Sequence, residues 1–227
     1  MTVQQQAFSL RAREKLLISG AHNLSDIELL SVFIDSGGVS QSCLQLADQL
    51  MTDIGDFRAL LNADLHAFEK IGGLGKIRYS QLQAIKEICL RSEFISLQKE
   101  VQLTSSLATH IFLKRKLRDK KNETFVALFL DSQHRVLTYE ELFNGTIDSA
   151  IIHPRPIIER ILRLNAASII LAHNHPSGIS DPSRQDITVT ERLKAALDLI
   201  DVKLLDHLVI GDNEVYSILN KMKWHCN

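Results

Sequence analysis

Cysteine is scarce in this chain: three in 227 residues, at Cys43, Cys89 and Cys226. They are odd in number, far apart and in no metal-ligand spacing, which excludes a disulfide framework and points to a reducing compartment. Long apolar runs are missing as well. No stretch reaches the roughly 18 uninterrupted apolar residues of a membrane span, and the opening MTVQQQAFSL has no apolar core of signal-peptide length. The expectation is a cytoplasmic protein with no membrane partner. An excess of one sign of charge is also absent, with 26 basic against 27 acidic residues. Residues 1–99 carry 10 and 11 of these, leaving 16 of each for the remainder. With no basic field over either part, any nucleic-acid binding must come from a local patch. What is plentiful is apolar side chain, 45%, enough for a proper core. The length allows one or two domains, and the pattern changes at Lys99, so we expect a helical domain over 1–99 and a second domain over 100–227.

The first part reads as short helices with no strand-like alternation before Lys99. Residues 12–18 form one, stopped at Gly20, a C′ glycine. Ser25-Asp26-Ile27-Glu28 has the capping-box pattern and opens a helix over 27–33, stopped by Gly37-Gly38. Ser40 or Ser42 caps the next, with Leu44, Ala47, Leu50 and Met51 at helical spacing. A short helix, Leu65 to Glu69, precedes Ile71-Gly72-Gly73-Leu74-Gly75 and a longer helix to about Phe94, with Leu82, Ile85, Ile88 and Cys89 on one face. This resembles a helix-hairpin-helix element whose turn is Gly73-Leu74-Gly75. Glycines there let the backbone approach a phosphate, which meets free N–H groups at a helix start, and Lys76 and Arg78 add phosphate contacts without base information. The resemblance implies weak, sequence-independent, salt-dependent DNA binding through Gly73, Gly75, Lys76 and Arg78. Tyr79 stands where that element usually has a small residue, and one copy is present; a tight helical turn with two solvated cations accounts for the same residues.

The second part brings strands. A helix from Ser105 or Ser106 through Leu107, Ile111 and Leu113 ends in a basic run over 114–121, six cations around Asp119, which reads as a solvated helix end or as a contact for phosphates or an acidic partner. Residues 123–131 read as a buried strand and 136–143 as its hairpin partner. Pro154 and Pro156 lead into a helix with Ile157, Ile161 and Leu164 at i, i+4 and i+7. A short apolar strand follows at 169–171, then a helix striped by Val189, Leu193, Ala196, Leu197 and Ile200, and a last clear strand over 203–210. Strands interleaved with two helices indicate an α/β or α+β sandwich, a helix on each side of a mixed sheet.

One stretch, SIILAHNHPSGISDPSRQD at 168–186, carries the chemistry. Residues i and i+2 of a strand face the same way, so His173 and His175 project together. Two adjacent imidazoles suit Zn²⁺. Pro176, Gly178 and Pro182 turn the chain, and Asp186, early in the next helix, can return as a third ligand. Three protein ligands leave a fourth position for water, the catalytic arrangement of zinc. The same Ser183-Arg184-Gln185-Asp186 is also a capping box, so Asp186 has a purely local alternative role.

The string His173-Asn174-His175, seven residues, then Ser183-x-x-Asp186 resembles the JAMM motif of MPN/JAB-type zinc metalloproteases. With Glu141–Ala150, Leu171–Gly178 and Leu205–Asp212 around it, the chain is similar to the RadC family of bacterial proteins over nearly its whole length. The resemblance implies a small helical N-terminal domain with a helix-hairpin-helix-like element and a C-terminal MPN/JAB-like sheet sandwich with flanking helices. It implies one zinc ion held by His173, His175 and Asp186, Ser183 as a stabiliser of the oxyanion, and a Glu general base on an earlier strand. Glu123 is the choice, because such a Glu precedes an apolar strand; Glu140 and Glu141 are the alternatives. Asn174 stands where deubiquitinating members have Ser or Thr, so their substrate preference does not carry over. Two functions follow: a zinc-dependent amide hydrolase acting on an unidentified protein or peptide, or a DNA-associated protein in which the MPN-like domain mediates interactions.

Overall fold

The computed structural model describes residues 12–34, 42–71, 74–99, 107–145 and 152–225. It is a mixed α/β structure packed as two compact units that divide between Cys89 and Leu90. That division falls inside a helix that runs on as far as Lys99, where the sequence pattern changes. Among the described residues no helix is long and apolar enough to cross a membrane.

The first unit is helical: α1 (residues 12–19), α2 (Asp26–Phe33), α3 (Cys43–Ile54), α4 (Phe57–Asn62), α5 (Leu65–Glu69) and the first part of α6 (Lys76–Lys99). Side-chain caps set these starts. Ser25 and Glu28 form the expected reciprocal box on α2, and Ser42, with Gln45, forms the one on α3. Asp56 and Asp64 cap α4 and α5, accepting from the amides of Ala59 and Ala67 at 2.8 and 2.9 Å. Leu30, Leu46, Leu50, Leu60, Phe68 and Leu74 close the core. Tyr79, oversized for the helix-hairpin-helix comparison, packs edge-on against Phe68 with ring centroids 5.6 Å apart. The apolar face expected for α6 is cut short: Leu82 is buried, whereas Ile88 is 65% exposed and Cys89 is exposed. The helix extends past Phe94 to Lys99, so its later turns belong to the second unit, where Leu97 is buried. Gly37, Gly38, Ser40 and Gly73 lie outside the described residues.

The second unit is a six-stranded sheet in the order β2-β1-β3-β4-β5-β6, with β1 (Thr124–Leu130), β2 (Val136–Asn144), β3 (Ser168–Asn174), β4 (Lys203–Ile210), β5 (Glu214–Ser217) and β6 (Met222–His225). β3 and β4 pair in parallel; the other neighbours are antiparallel. The parallel pair is joined through α9 (Arg184–Asp198), as a parallel connection requires. The mixed sheet agrees with the expectation, and β3 is longer than the three residues read from its apolar run. The β1–β2 turn is held by Asp131, whose Oδ1 accepts from the amides of Gln133 and Arg135 at 2.9 Å each.

All seven residues of β1 and all seven of β3 are buried, because helices cover both faces. Phe125, Ala127, Phe129, Ile169 and Leu171 pack with Ile157 and Ile161 of α8 (Pro154–Leu164) and Leu193 and Leu197 of α9. Val126, Leu128, Leu130, Ile170 and Ala172 pack on the other side with Leu97 and with Phe112, Leu113 and Leu117 of α7 (Leu107–Leu117). Here the sequence reading is corrected. Leu107 is 65% exposed and Ile111 is 38% exposed, while Thr109, His110, Phe112 and Leu113 point inward. A stripe read from aliphatics alone missed that a His and a Thr belong to the buried face. Ser105 and Ser106 lie outside the described residues.

Candidate active site

The face of β3 that carries Ile169 and Leu171 continues to His173, and His175 follows one residue past the strand. The His175 amide donates to Ile210 O at 3.0 Å, which prolongs the β3–β4 pairing by one position. Strand periodicity thus delivers both imidazoles to one side. Their Nε2 atoms lie 3.1 Å apart. His173 is fully buried, sits opposite Phe125 in the β1–β3 register and stacks on its ring at a 15° interplanar angle.

Asp186 enters from the first turn of α9. Its Oδ1 is 3.4 Å from His173 Nε2 and its Oδ2 is 3.5 Å from His175 Nε2. The capping box is formed in full: the Ser183 amide and hydroxyl both donate to Asp186 Oδ2 at 2.7 Å, and the Asp186 amide donates to Ser183 Oγ at 3.1 Å. Local cap and candidate ligand are therefore the same carboxylate. Burial opposes ionisation of Asp186, but hydrogen bonds from His173 and His175 outweigh it and hold the carboxyl far below the usual range. For His175, burial again opposes charge. The Asp186 carboxylate, the Ile179 carbonyl and the charge of Glu123 overcome it and push the imidazole's pKa up.

Glu123 immediately precedes β1 and shares the Phe125 face. Its Oε1 lies 3.7 Å from His175 Nε2, and one ligand atom from each of Glu123, His173 and His175 falls within 4.8 Å of the others. The two alternative carboxylates are engaged elsewhere. Glu140 binds the Arg160 guanidinium of α8 at 2.5–2.8 Å, and Glu141 pairs with Lys120 at 2.8 Å. A cleft of about 390 Å³ opens beside the site, lined by Lys121, Asn122, Glu123, His175, Pro176 and Ser177.

The donor set fits zinc. Two ligand atoms at about 2.0–2.1 Å in a tetrahedral shell stand roughly 3.3–3.4 Å apart, close to the observed 3.1, 3.4 and 3.5 Å between the two Nε2 atoms and Asp186. His175 Nδ1 lies 2.8 Å from Ile179 O. A carbonyl accepts only, so Nδ1 carries the proton, and the lone pair of the neutral ring sits on Nε2, facing the site.

Three residues that composition and spacing did not single out hold this arrangement. Asn174, between the histidines, faces the opposite way. Its Oδ1 accepts from the Thr124 amide at 2.8 Å, and its Nδ2 donates to Lys120 O and Asn122 O at 3.1 and 3.2 Å. It thereby ties down the segment that presents Glu123. His207 lies fully buried behind His173, with its Nε2 2.9 Å from His173 Nδ1, and Thr190 of α9 closes on His207 Nδ1 at 2.5 Å. Burial drives the pKa of His207 well below the ordinary value. Asp206, the neighbour of His207 on β4, does not join them. Adjacent strand residues face opposite ways, and the Asp206 carboxylate is bound to Ser217 and Asn220 and to the His207 amide. The loop between the ligands is held from behind. Ser180 donates through its amide and hydroxyl to Glu214 Oε1, and the Asp212 amide donates to Gly178 O at 2.8 Å.

Of the residues considered for DNA, Gly75 precedes α6 and Lys76 and Arg78 lie in its first turn, in the first compact unit. Arg78 donates to Gln81 Oε1 at 3.2 Å.

Comparison with known proteins agrees with this architecture. Residues 103–224 match the model of a RadC-like JAB domain, and residues 3–80 match a UPF0758 N-terminal domain. A UPF0758 protein of Legionella pneumophila (strain Corby) is 63% identical over 227 residues, the full length of both chains. One from Thioalkalivibrio sulfidiphilus is 49% identical over 205 residues, 90% of this chain and 92% of the relative. One from Aliivibrio fischeri (strain MJ11) is 46% identical over 211 residues, 93% and 94% of the two. With both family models and full-length relatives in agreement, the chain belongs to the RadC (UPF0758) family, its C-terminal part a RadC-like JAB domain.

Proposed function

We propose that this protein is a zinc-dependent amide hydrolase of the JAMM type, acting on peptide or protein substrates. The observation that carries the reading is the convergence of His173 Nε2, His175 Nε2 and the Asp186 carboxylate at tetrahedral-edge spacing, with Glu123 beside them. His173, His175 and Asp186 would hold the metal. Bound zinc supplies a Lewis acid that polarises a carbonyl oxygen and brings the pKa of a water down to about 7.

The chain's own groups do the rest. Glu123 takes a proton from the attacking water and returns it to the leaving nitrogen, so one carboxylate serves as base and then as acid. Engagement of Glu140 and Glu141 by Arg160 and Lys120 supports this assignment. Ser183 is exposed at the rim with its hydroxyl hydrogen on Asp186 Oδ2. To stabilise an oxyanion, that hydrogen turns outward while the Ser183 amide keeps Asp186 in place. The cleft walled by Lys121, Asn122, Pro176 and Ser177 gives an extended chain access to Glu123 and His175 from solvent.

Elemental analysis of the purified protein, wild type against His173→Ala, tests the reading. One zinc per wild-type chain and close to none in the variant are expected, together with zinc-dependent release of amines from a denatured-protein substrate in the wild type alone. Zinc near zero in both proteins overturns the proposal.

A further inference from the structure

The hydrogen bonds behind His173 have a direction. Thr190 Oγ1 lies 2.6 Å from the backbone carbonyl of Asp186, four residues earlier on α9. The carbonyl can only accept, so the single hydroxyl hydrogen of Thr190 points there. The same oxygen is 2.5 Å from His207 Nδ1 and, its hydrogen committed, accepts from it. His207 Nδ1 is then the protonated nitrogen. Its other nitrogen, Nε2, lies 2.9 Å from His173 Nδ1. A doubly protonated His207 is disfavoured, because it is wholly buried with a hydroxyl and an imidazole as its two ring partners. The neutral ring presents a lone pair at Nε2, and His173 Nδ1 donates to it. Every member of this chain is at least 96% buried, so water does not compete for these bonds.

We infer that Thr190 and His207 are positioning residues that hold a proton on His173 Nδ1, leaving Nε2 as the atom that faces the point where His175 and Asp186 converge and that would ligate a metal there. This rests on the metal-site reading proposed above and deepens it. His175 is set by the Ile179 carbonyl, a fixed acceptor. Behind His173 stands an imidazole instead, able to accept or donate, and its polarity is decided one step further back by Thr190. The chain ends on the backbone of Asp186, so the orientation of one candidate ligand is tied to the helix turn that supplies another. Partners of this kind are typically worth about 10–100-fold in metal affinity.

Metal-free ¹⁵N-labelled protein provides the direct test, through long-range ¹H–¹⁵N correlation of the imidazole rings, with signals assigned from His173→Gln and His207→Gln. His173 and His207 should both be protonated at Nδ1, and His207 should be bare at Nε2. Competition against a chelator gives a second readout. Thr190→Val, which cannot accept, should lower zinc affinity about 10–100-fold, and Thr190→Ser should restore it. His207→Gln, whose amide can donate and accept in the same order, should hold zinc better than His207→Leu. A bare Nδ1 on His173 or a proton on Nε2 of His207 in the metal-free wild type, or wild-type affinity in both Thr190→Val and His207→Leu, overturns the inference. If the wild type binds no zinc, the hydrolase reading fails while the tautomer measurement still decides the relay. If a variant does not fold, the wild-type spectrum decides.

Discussion

At the scale of single residues, the site is a matter of which partner folding brings to each carboxylate. Three glutamates near the first two strands are chemically equivalent, yet Arg160 and Lys120 engage two of them and Glu123 faces His175. Glu123→Gln should keep one zinc per chain and lower amide hydrolysis by about 10²–10⁴-fold. Glu141→Gln, which removes a half-exposed ion pair of little energetic weight, should leave both within about twofold. Loss of activity in the second and retention in the first would reassign the base. Buried titratable groups away from the site also leave a trace. His110 of α7 is 2% exposed and packs against Trp224, ring centroids 4.5 Å apart, and burial depresses its pKa. The unfolded chain, with an ordinary value near 6.5, takes up this proton first. Stability from the neutral ring is therefore full above about pH 6.5 and declines as pH falls below it, towards the folded value. Urea midpoints at pH 7.5 and 5.5 should show a larger drop for wild type than for His110→Phe; equal drops would exclude the effect.

At the scale of elements, two connections hold the site's geometry. The loop from Pro176 to Pro182 lies against the β4–β5 turn, where a Cβ on Gly211 would stand 2.6 Å from Gly178 O and 3.0 Å from Ser180 N. Backbone on both sides cannot yield cheaply, so this position requires the smallest residue for steric reasons. Asn174 does the corresponding work for the segment before β1. Asn174→Ala should leave zinc content intact, because the side chain faces away from the ligands. It should lower turnover by up to about 10²-fold, because a carboxylate misplaced by an ångström loses most of its effect. Loss of zinc in this variant would show that Asn174 supports the strand rather than Glu123.

For the molecule as a whole, the two compact units draw their cores from separate stretches. The first closes on side chains from Leu30 to Leu82, and the sheet unit closes on side chains from Leu97 onward. Leu50, fully buried in α3, should cost about 2–5 kcal/mol when truncated to Ala, lowering the denaturation midpoint of the helical unit. Zinc content should stay at the wild-type level, because every candidate ligand lies in the sheet unit. A parallel loss of zinc from Leu50→Ala would show that the two cores stand or fall together.

What the sequence by itself determined is whatever depends on near neighbours. The caps of α2 and α9 follow from residues three apart, and the shared face of His173 and His175 follows from the two-residue period of a strand. The basic mixed α/β plan follows from the alternation of apolar runs with helical stripes, and the family resemblance singled out Asp186 and Glu123 as partners. Tertiary structure decided what depends on distant partners. His207 stands 34 residues from His173 and Thr190 stands 17 from His207, separations at which spacing carries no signal. The short strands β5 and β6 exist because β4 offers an edge to pair with, and four residues alone do not announce a strand. Ile88 and Leu107 were read as core and are exposed, whereas His110, which no apolar stripe includes, is buried. A periodic pattern gives the angular position of a side chain on its own element, but the neighbour across the interface decides whether that angle faces core or water. The same reason separates the three glutamates: folding brings Glu140 to Arg160, Glu141 to Lys120 and Glu123 to His175.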